Sequence, residues 1–149
     1  MRRDSSLIPL SRQHHNALSL CVLTERALAG DTAPANLERL ARRVIDRYEI
    51  ELANHFELEE ELLFPAVRGV GLETMADELA AEHRQMERLV AALRDRPEAA
   101  VLHEFTSLLR RHVRREENEL FEEAQRRLGR EILDRLGGEL EARAVRVCL

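Results

Sequence analysis

The sequence has no lysine and no tryptophan, and aromatic residues fill only 3% of its 149 positions. Six glycines and four prolines are few for a β-rich fold, which needs tight turns at short intervals. The two cysteines, Cys21 and Cys148, stand far apart and outside any metal-ligand spacing. They give no sign of a disulfide framework, so a reducing compartment is expected. No apolar run approaches membrane-spanning length, and Met1-Arg2-Arg3-Asp4 opens no signal-peptide apolar core. A cytoplasmic location and no membrane partner follow as expectations. A long basic block is also missing. All 23 basic residues are arginine, a coding bias given no mechanistic weight, and they alternate with 28 acids for a net charge of −5. The densest patch, Arg110, Arg111, Arg114 and Arg115, runs directly into Glu116, Glu117 and Glu119. It belongs on a solvated helix face, and nucleic acid is not expected as a partner.

What dominates instead is Ala, Leu, Arg and Glu, the strong helix formers. The length suits a single domain over residues 1–149 with a real core. Ser11 is placed to cap a first helix running to about Gly30. Pro34 suits the first turn of a second helix that continues to Phe64 or Val67, before Gly69-Val70-Gly71. A third helix runs from about Leu72 to Arg94. Pro97 opens a fourth, which ends near Gly129. A fifth, shorter segment starts at Arg130 and is interrupted by Gly137-Gly138. The fold class is all-α: an up-down-up-down antiparallel four-helix bundle, about residues 11–128, with a short C-terminal helical extension, about 130–149.

The inward stripes can be written out. The second helix carries Ile45, Tyr48, Leu52, His55, Glu59, Leu62 and Ala66 at spacings of three and four. The third carries Met75, Leu79, His83, Met86, Val90 and Leu93, and the fourth Val101, Phe105, Leu108, His112 and Glu116. Each stripe holds an inward histidine, and in two of them a glutamate follows one turn later. A buried carboxylate without a partner costs several kcal/mol, roughly, or becomes protonated. One His–Glu pair could be a hydrogen-bonded structural pair. Two pairs with further inward histidines are too much polar material for so small a bundle, and a metal centre would resolve the conflict.

The chemistry sits in a repeat. His55-Phe56-Glu57-Leu58-Glu59-Glu60-Glu61-Leu62-Leu63-Phe64 and His112-Val113-Arg114-Arg115-Glu116-Glu117-Asn118-Glu119-Leu120-Phe121 both read H-x3-E-E-x2-L-F. Residues four apart share a helix face, on the order of 6 Å along it. A histidine there can bind one metal end-on while the glutamate reaches across to bridge two. Imidazole with carboxylate and no thiolate suits iron, manganese or zinc. The Glu-x-x-His of ferritin-like bundles and the His-Glu-x-x-His of zinc proteases are both missing. Tyr48, two turns before His55 on the same face, is either close to the site or core. His103 lies off the stripe and belongs on the surface.

From about Leu10 to Phe121 the chain resembles the hemerythrin-like, or HHE cation-binding, domains. The resemblance rests on the paired H-x3-E motifs, one followed by Leu63-Phe64-Pro65, with histidines in the flanking helices. It implies an oxo- or hydroxo-bridged centre of two iron ions, with zinc or manganese as substitutes. The implied ligands are His15, His55, Glu59, His83, His112 and Glu116. His15 is taken because its following apolar positions match those after His83; His14, which shares a face with Leu10, Leu18 and Cys21, is the alternative. Glu116 is taken from the internal repeat, and Glu117 is its alternative, because oxygen-carrying hemerythrins place this carboxylate one residue later. Those proteins also have a second histidine on the third helix, where this chain has Glu87 four residues after His83 and Leu79 four before. Four histidines, two bridging carboxylates and a bridging oxygen supply roughly ten of about twelve octahedral contacts. The more open site resembles the four-histidine members, which include sensors and iron–sulfur cluster repair proteins.

The expected function is therefore binding or sensing of O2, nitric oxide or iron. The alternative is a di-iron enzyme that reduces nitric oxide or peroxide, or that donates iron in cluster repair. A helical interaction module without metal is the third reading. A small diatomic ligand, O2 or NO, is the expected partner, and a monomer or weak dimer the expected state.

Overall fold

The computed structural model describes residues 1–147 and is helical throughout its ordered elements. Cys148 lies outside the described residues. A 3₁₀ turn at Ser5–Leu7 leads into α1, Ile8–Gly30. Helix α2 spans 34–68, α3 is Glu73–Asp95, α4 spans 99–127 and α5 is Arg130–Arg143. Pro34 opens α2 in its first turn, as expected. Helix α1 begins earlier than the Ser11 cap implies. Pro9 sits in its first turn, and Ser11 is inside the helix, where its hydroxyl donates to Glu117 instead. Helix α4 starts at Ala99, two residues beyond Pro97, with Glu98 as its extended N-cap residue. The turn from α2 to α3 passes through Gly71 at φ 88, in the left-handed region that glycine favours.

Around the bundle α1 packs on α2, α2 on α3, α3 on α4, and α4 back on α1. Two apolar lobes result. Leu28, Leu40, Val44, Leu93, Leu102 and Phe105 anchor one, and Leu7, Leu10, Phe64, Val67, Leu79 and Phe121 the other. A layer of buried His and Glu lies mid-length on the helices that build them. Tyr48 is half-buried against the first lobe, with its ring 6.3 Å from that of Phe56.

Helix α5 buries Leu133, Leu136 and Leu140 in the second lobe. It is continuous through Gly137-Gly138, where an interruption was expected. A Cβ at position 137 would lie 2.8 Å from the Ser6 Cα, so glycine there allows close approach of α5 to the N-terminal turn. Among the described residues, no helix is long and apolar enough to cross a membrane.

Helices α2 and α4 contain π turns, at Tyr48–Leu52 and Glu59–Leu63 in α2 and at Glu116–Leu120 in α4. A π turn adds a residue to the turn, so the inward stripe moves by one position. Beyond Glu59 the buried residues of α2 are Leu63, Phe64 and Val67, whereas Leu62 and Ala66, expected inward, are only partly buried.

Candidate metal centre

Each long helix delivers one buried imidazole to the middle layer: His14 from α1, His55 from α2, His83 from α3 and His112 from α4. Helices α2 and α4 add Glu59 and Glu116, both fully buried, at the first residue of a π turn. Two groups form around the shared carboxylates. One is His14, His55, Glu59 and Glu116; the other is His83, His112, Glu59 and Glu116. In each group the candidate ligand atoms all lie within 4.8 Å of one another.

The contacts show how the carboxylates span the pairs. Glu59 Oε2 lies 3.3 Å from His55 Nε2, and its Oε1 lies 3.0 Å from His83 Nε2. Glu116 Oε1 lies 3.0 Å from both His14 Nε2 and His112 Nε2. The Nε2 atoms of His83 and His112 are 3.2 Å apart. His55 Nε2, Glu59 Oε2 and Glu116 Oε2 are buried without any hydrogen-bond partner. Orphaned buried polar atoms are expensive, and two of these, His55 Nε2 and Glu59 Oε2, lie 3.3 Å apart. A cation there would satisfy them, so the donor set fits a hard or borderline divalent metal.

The other ring nitrogens fix the tautomer. His14 Nδ1 donates to Glu117 Oε2 at 2.6 Å, and His55 Nδ1 to Gln13 Oε1 at 2.9 Å. His83 Nδ1 donates to Glu60 Oε2 at 2.8 Å, and His112 Nδ1 to Glu82 Oε1 at 2.7 Å. A carboxylate can only accept, and the Gln13 amide nitrogen is already turned to Asn54 Oδ1 and the Val145 carbonyl. All four Nδ1 atoms therefore carry hydrogen, and all four Nε2 atoms face inward toward Glu59 and Glu116, where loss of the protons they share with those carboxylates would free lone pairs for a cation. Each acceptor comes from the neighbouring helix and is adjacent in sequence to an inward residue of its own. The four bonds run around the bundle as a closed ring. Aromatic rings seal it: Phe56 stacks on His83 at 4.0 Å and Phe121 on His14 at 5.3 Å.

Burial pushes the Glu59 and Glu116 carboxyls up, and Glu116 pushes Glu59 up further. The imidazoles around them outweigh this, so Glu59 stays below the ordinary carboxylate value and Glu116 well below it. The cluster is a compensated set of charges, not two protonated acids.

Of the residues singled out in the sequence, His55, Glu59, His83, His112 and Glu116 come together. His15 does not. It is exposed on α1, and His14 occupies the inward place. The correction has a simple cause. The buried stripe of α1 is Leu10, His14, Ala17, Cys21, Thr24 and Leu28, and one further residue turns a side chain roughly 100° away. Glu117 lies beside the cluster and holds His14. His103 is exposed, as expected. Gln13, Glu60 and Glu82 were not foreseen. Their signal was positional: Gln13 and Glu82 directly precede the inward histidines of α1 and α3, and Glu60 directly follows Glu59.

Four imidazoles and two carboxylates in the interior of a helical bundle define a cation-binding bundle. The model of the hemerythrin HHE cation binding domain matches residues 9–124, and the chain belongs to that family. No curated protein and no solved structure matches the chain.

Proposed function

We propose that this protein holds two iron ions and uses them to bind or sense a small diatomic ligand, O2 or nitric oxide, or to report iron itself. The observation that carries this reading is the pair of four-residue groups sharing Glu59 and Glu116. Two imidazoles per position and two carboxylates in common suit a bridged pair of metals better than one isolated ion. Bound there, iron would supply redox-active positions open to a diatomic ligand. The protein's part is to aim the four Nε2 lone pairs, neutralise the charge and keep bulk water out.

The space beside His14, His55 and His112 is tightly enclosed by Ala17, Leu52, Phe56, Leu109 and Val113, which argues against an organic substrate. The ring of helix neighbours and the short connectors support an up-down-up-down antiparallel arrangement. We read the chain as a single domain acting in the cytoplasm as a monomer or weak dimer, without nucleic acid or membrane as partner.

The test is metal content with an optical spectrum on protein purified without added metal. About two irons per chain and near-ultraviolet absorption that disappears in His55→Ala would support the reading. Exposure to O2 and nitric oxide then separates binding from turnover. Catalytic reduction of nitric oxide or peroxide would move the assignment to an enzyme. A stably folded protein that takes up no iron under anaerobic conditions would overturn both.

A further inference from the structure

The ring around the centre is built from two similar halves that differ at one residue. Gln13 and Glu82 hold matching places. Each directly precedes an inward histidine, and each accepts from the Nδ1 of the histidine on the next helix, Gln13 from His55 and Glu82 from His112. Glu60 and Glu117 match in the same way, each following an inward glutamate and accepting from His83 and His14. Three of the four acceptors are carboxylates. Gln13 is a neutral amide. A carboxylate behind an imidazole makes it the stronger donor to a cation, and a neutral carbonyl does less. The His83/His112 position therefore has two carboxylate-backed imidazoles, and the His14/His55 position has one.

A second difference points the same way. Glu60 and Glu82 stand on α2 and α3 of the bundle. The acceptors of the other half are held by the chain's terminal segments. The Arg3 guanidinium lies 3.3 Å from Glu117 Oε1 and donates to the Glu117 carbonyl at 2.8 Å. Gln13 Nε2 donates to the Val145 carbonyl at 3.3 Å and to Asn54 Oδ1, which also takes the Val145 N–H at 3.0 Å. Arg130 grips Asp4 through two bonds of 2.8 and 3.0 Å, which ties α5 to the N-terminal segment.

Resting on the two-cation reading above, we propose that the two positions are unequal. The His83/His112 position takes the first cation and holds it more tightly. The His14/His55 position takes the second, with an affinity set by Gln13 and by the terminal segments that hold Gln13 and Glu117. Anything that displaces those segments empties the second position and spares the first.

The test is anaerobic titration of the metal-free full chain with Co(II), followed by equilibrium dialysis and visible absorption. Two shared carboxylates would separate the two steps even in a symmetric site, so the identity of each step decides. His83→Ala is expected to remove the tighter step and His14→Ala the weaker one. Glu82→Gln, which keeps shape and changes charge, is expected to weaken the first step about 10-fold and to shift the visible bands of the first equivalent. Arg3→Ala and Gln13→Ala are expected to weaken only the second step, by about 10- to 100-fold. A merely structural role would move both steps together. Loss of the tighter step in His14→Ala, or equal weakening of both steps in Glu82→Gln, overturns the proposal. If the parent chain binds no Co(II) at all, the two-cation reading falls first, an outcome distinct from two equivalent positions.

Discussion

The Nε2 atoms of His83 and His112 face each other in the protein interior at 3.2 Å. Each ring's Nδ1 is committed to a carboxylate, so the gap between the two Nε2 atoms takes either a shared proton or a cation. Protons and metal compete for the same lone pairs. Burial pulls the His55 imidazole down, but the Glu59 and Glu116 carboxylates outweigh it and raise it to about 9. His83 and His112 are also raised, against burial, chiefly by Glu59 and Glu116 respectively. Folded-state values above the unfolded value of about 6.5 stabilise the metal-free fold fully below about pH 6.5, and the effect fades as pH rises through about 9. Metal affinity runs the other way. The thermal midpoint of metal-free protein should fall between those pH values. Calorimetric titration with Zn(II) at pH 7, in buffers of different ionisation enthalpy, should show proton release. A binding enthalpy indifferent to buffer would contradict the competition.

Adjacent histidines on α1 should behave in opposite ways. His14→Ala removes an imidazole from the buried cluster, and metal content should fall. His15→Ala changes an exposed side chain, and both metal content and stability should stay at parental values, within about 0.5 kcal/mol. Elemental analysis and chemical denaturation of the two variants decide this. Metal loss in His15→Ala alone would reverse the placement of α1.

The paired glycines of α5 make a second contrast. At Gly137 an added Cβ would meet Ser6 Cα at 2.8 Å and Ser6 Cβ at 2.9 Å. Gly137→Ala should cost about 1–3 kcal/mol through overpacking. At Gly138 nothing lies within 4 Å, so Gly138→Ala should stabilise the helix by about 0.5–1 kcal/mol. Thermal melts of the two variants should move in opposite directions.

Cys21 is fully buried, and burial pushes its thiol up to about 12. At pH 8 it should stay protonated and covered. In a Cys148→Ser variant, thiol reagents should label native protein only as fast as it opens, and should label one thiol at once in denaturant. Rapid stoichiometric labelling of the native variant would show that α1 opens readily toward α4.

Five of the six inward polar residues could be read from the sequence because α3 and the middle of α2 and α4 keep helical spacing around them. His83 and Met86 sit on a regular stripe, and so do His55 with Glu59 and His112 with Glu116. The α1 position was harder. His14 and His15 are neighbours, and only the longer stripe that reaches Ala17, Thr24 and Leu28 separates them. The π turns were not legible. Wheel geometry carried past Glu59 points to Leu62 and Ala66, while the added residue turns Leu63 and Val67 inward. Nor was the ring of Nδ1 acceptors. Glu60 and Glu82 look like ordinary solvated glutamates until the packing of neighbouring helices brings them to His83 and His112.

The polar layer also fixes how the helices are aligned along their length. The lobes on either side of it are largely leucine, phenylalanine and alanine, which pack tolerably in several alignments. Sliding one helix by a turn, about 5.4 Å, would carry an imidazole into aliphatic side chains and leave its former partners facing a leucine. Every such slip strands charged groups in an apolar lobe. The layer therefore picks out one alignment from several that apolar packing alone would allow, and it does so whether or not a cation has arrived.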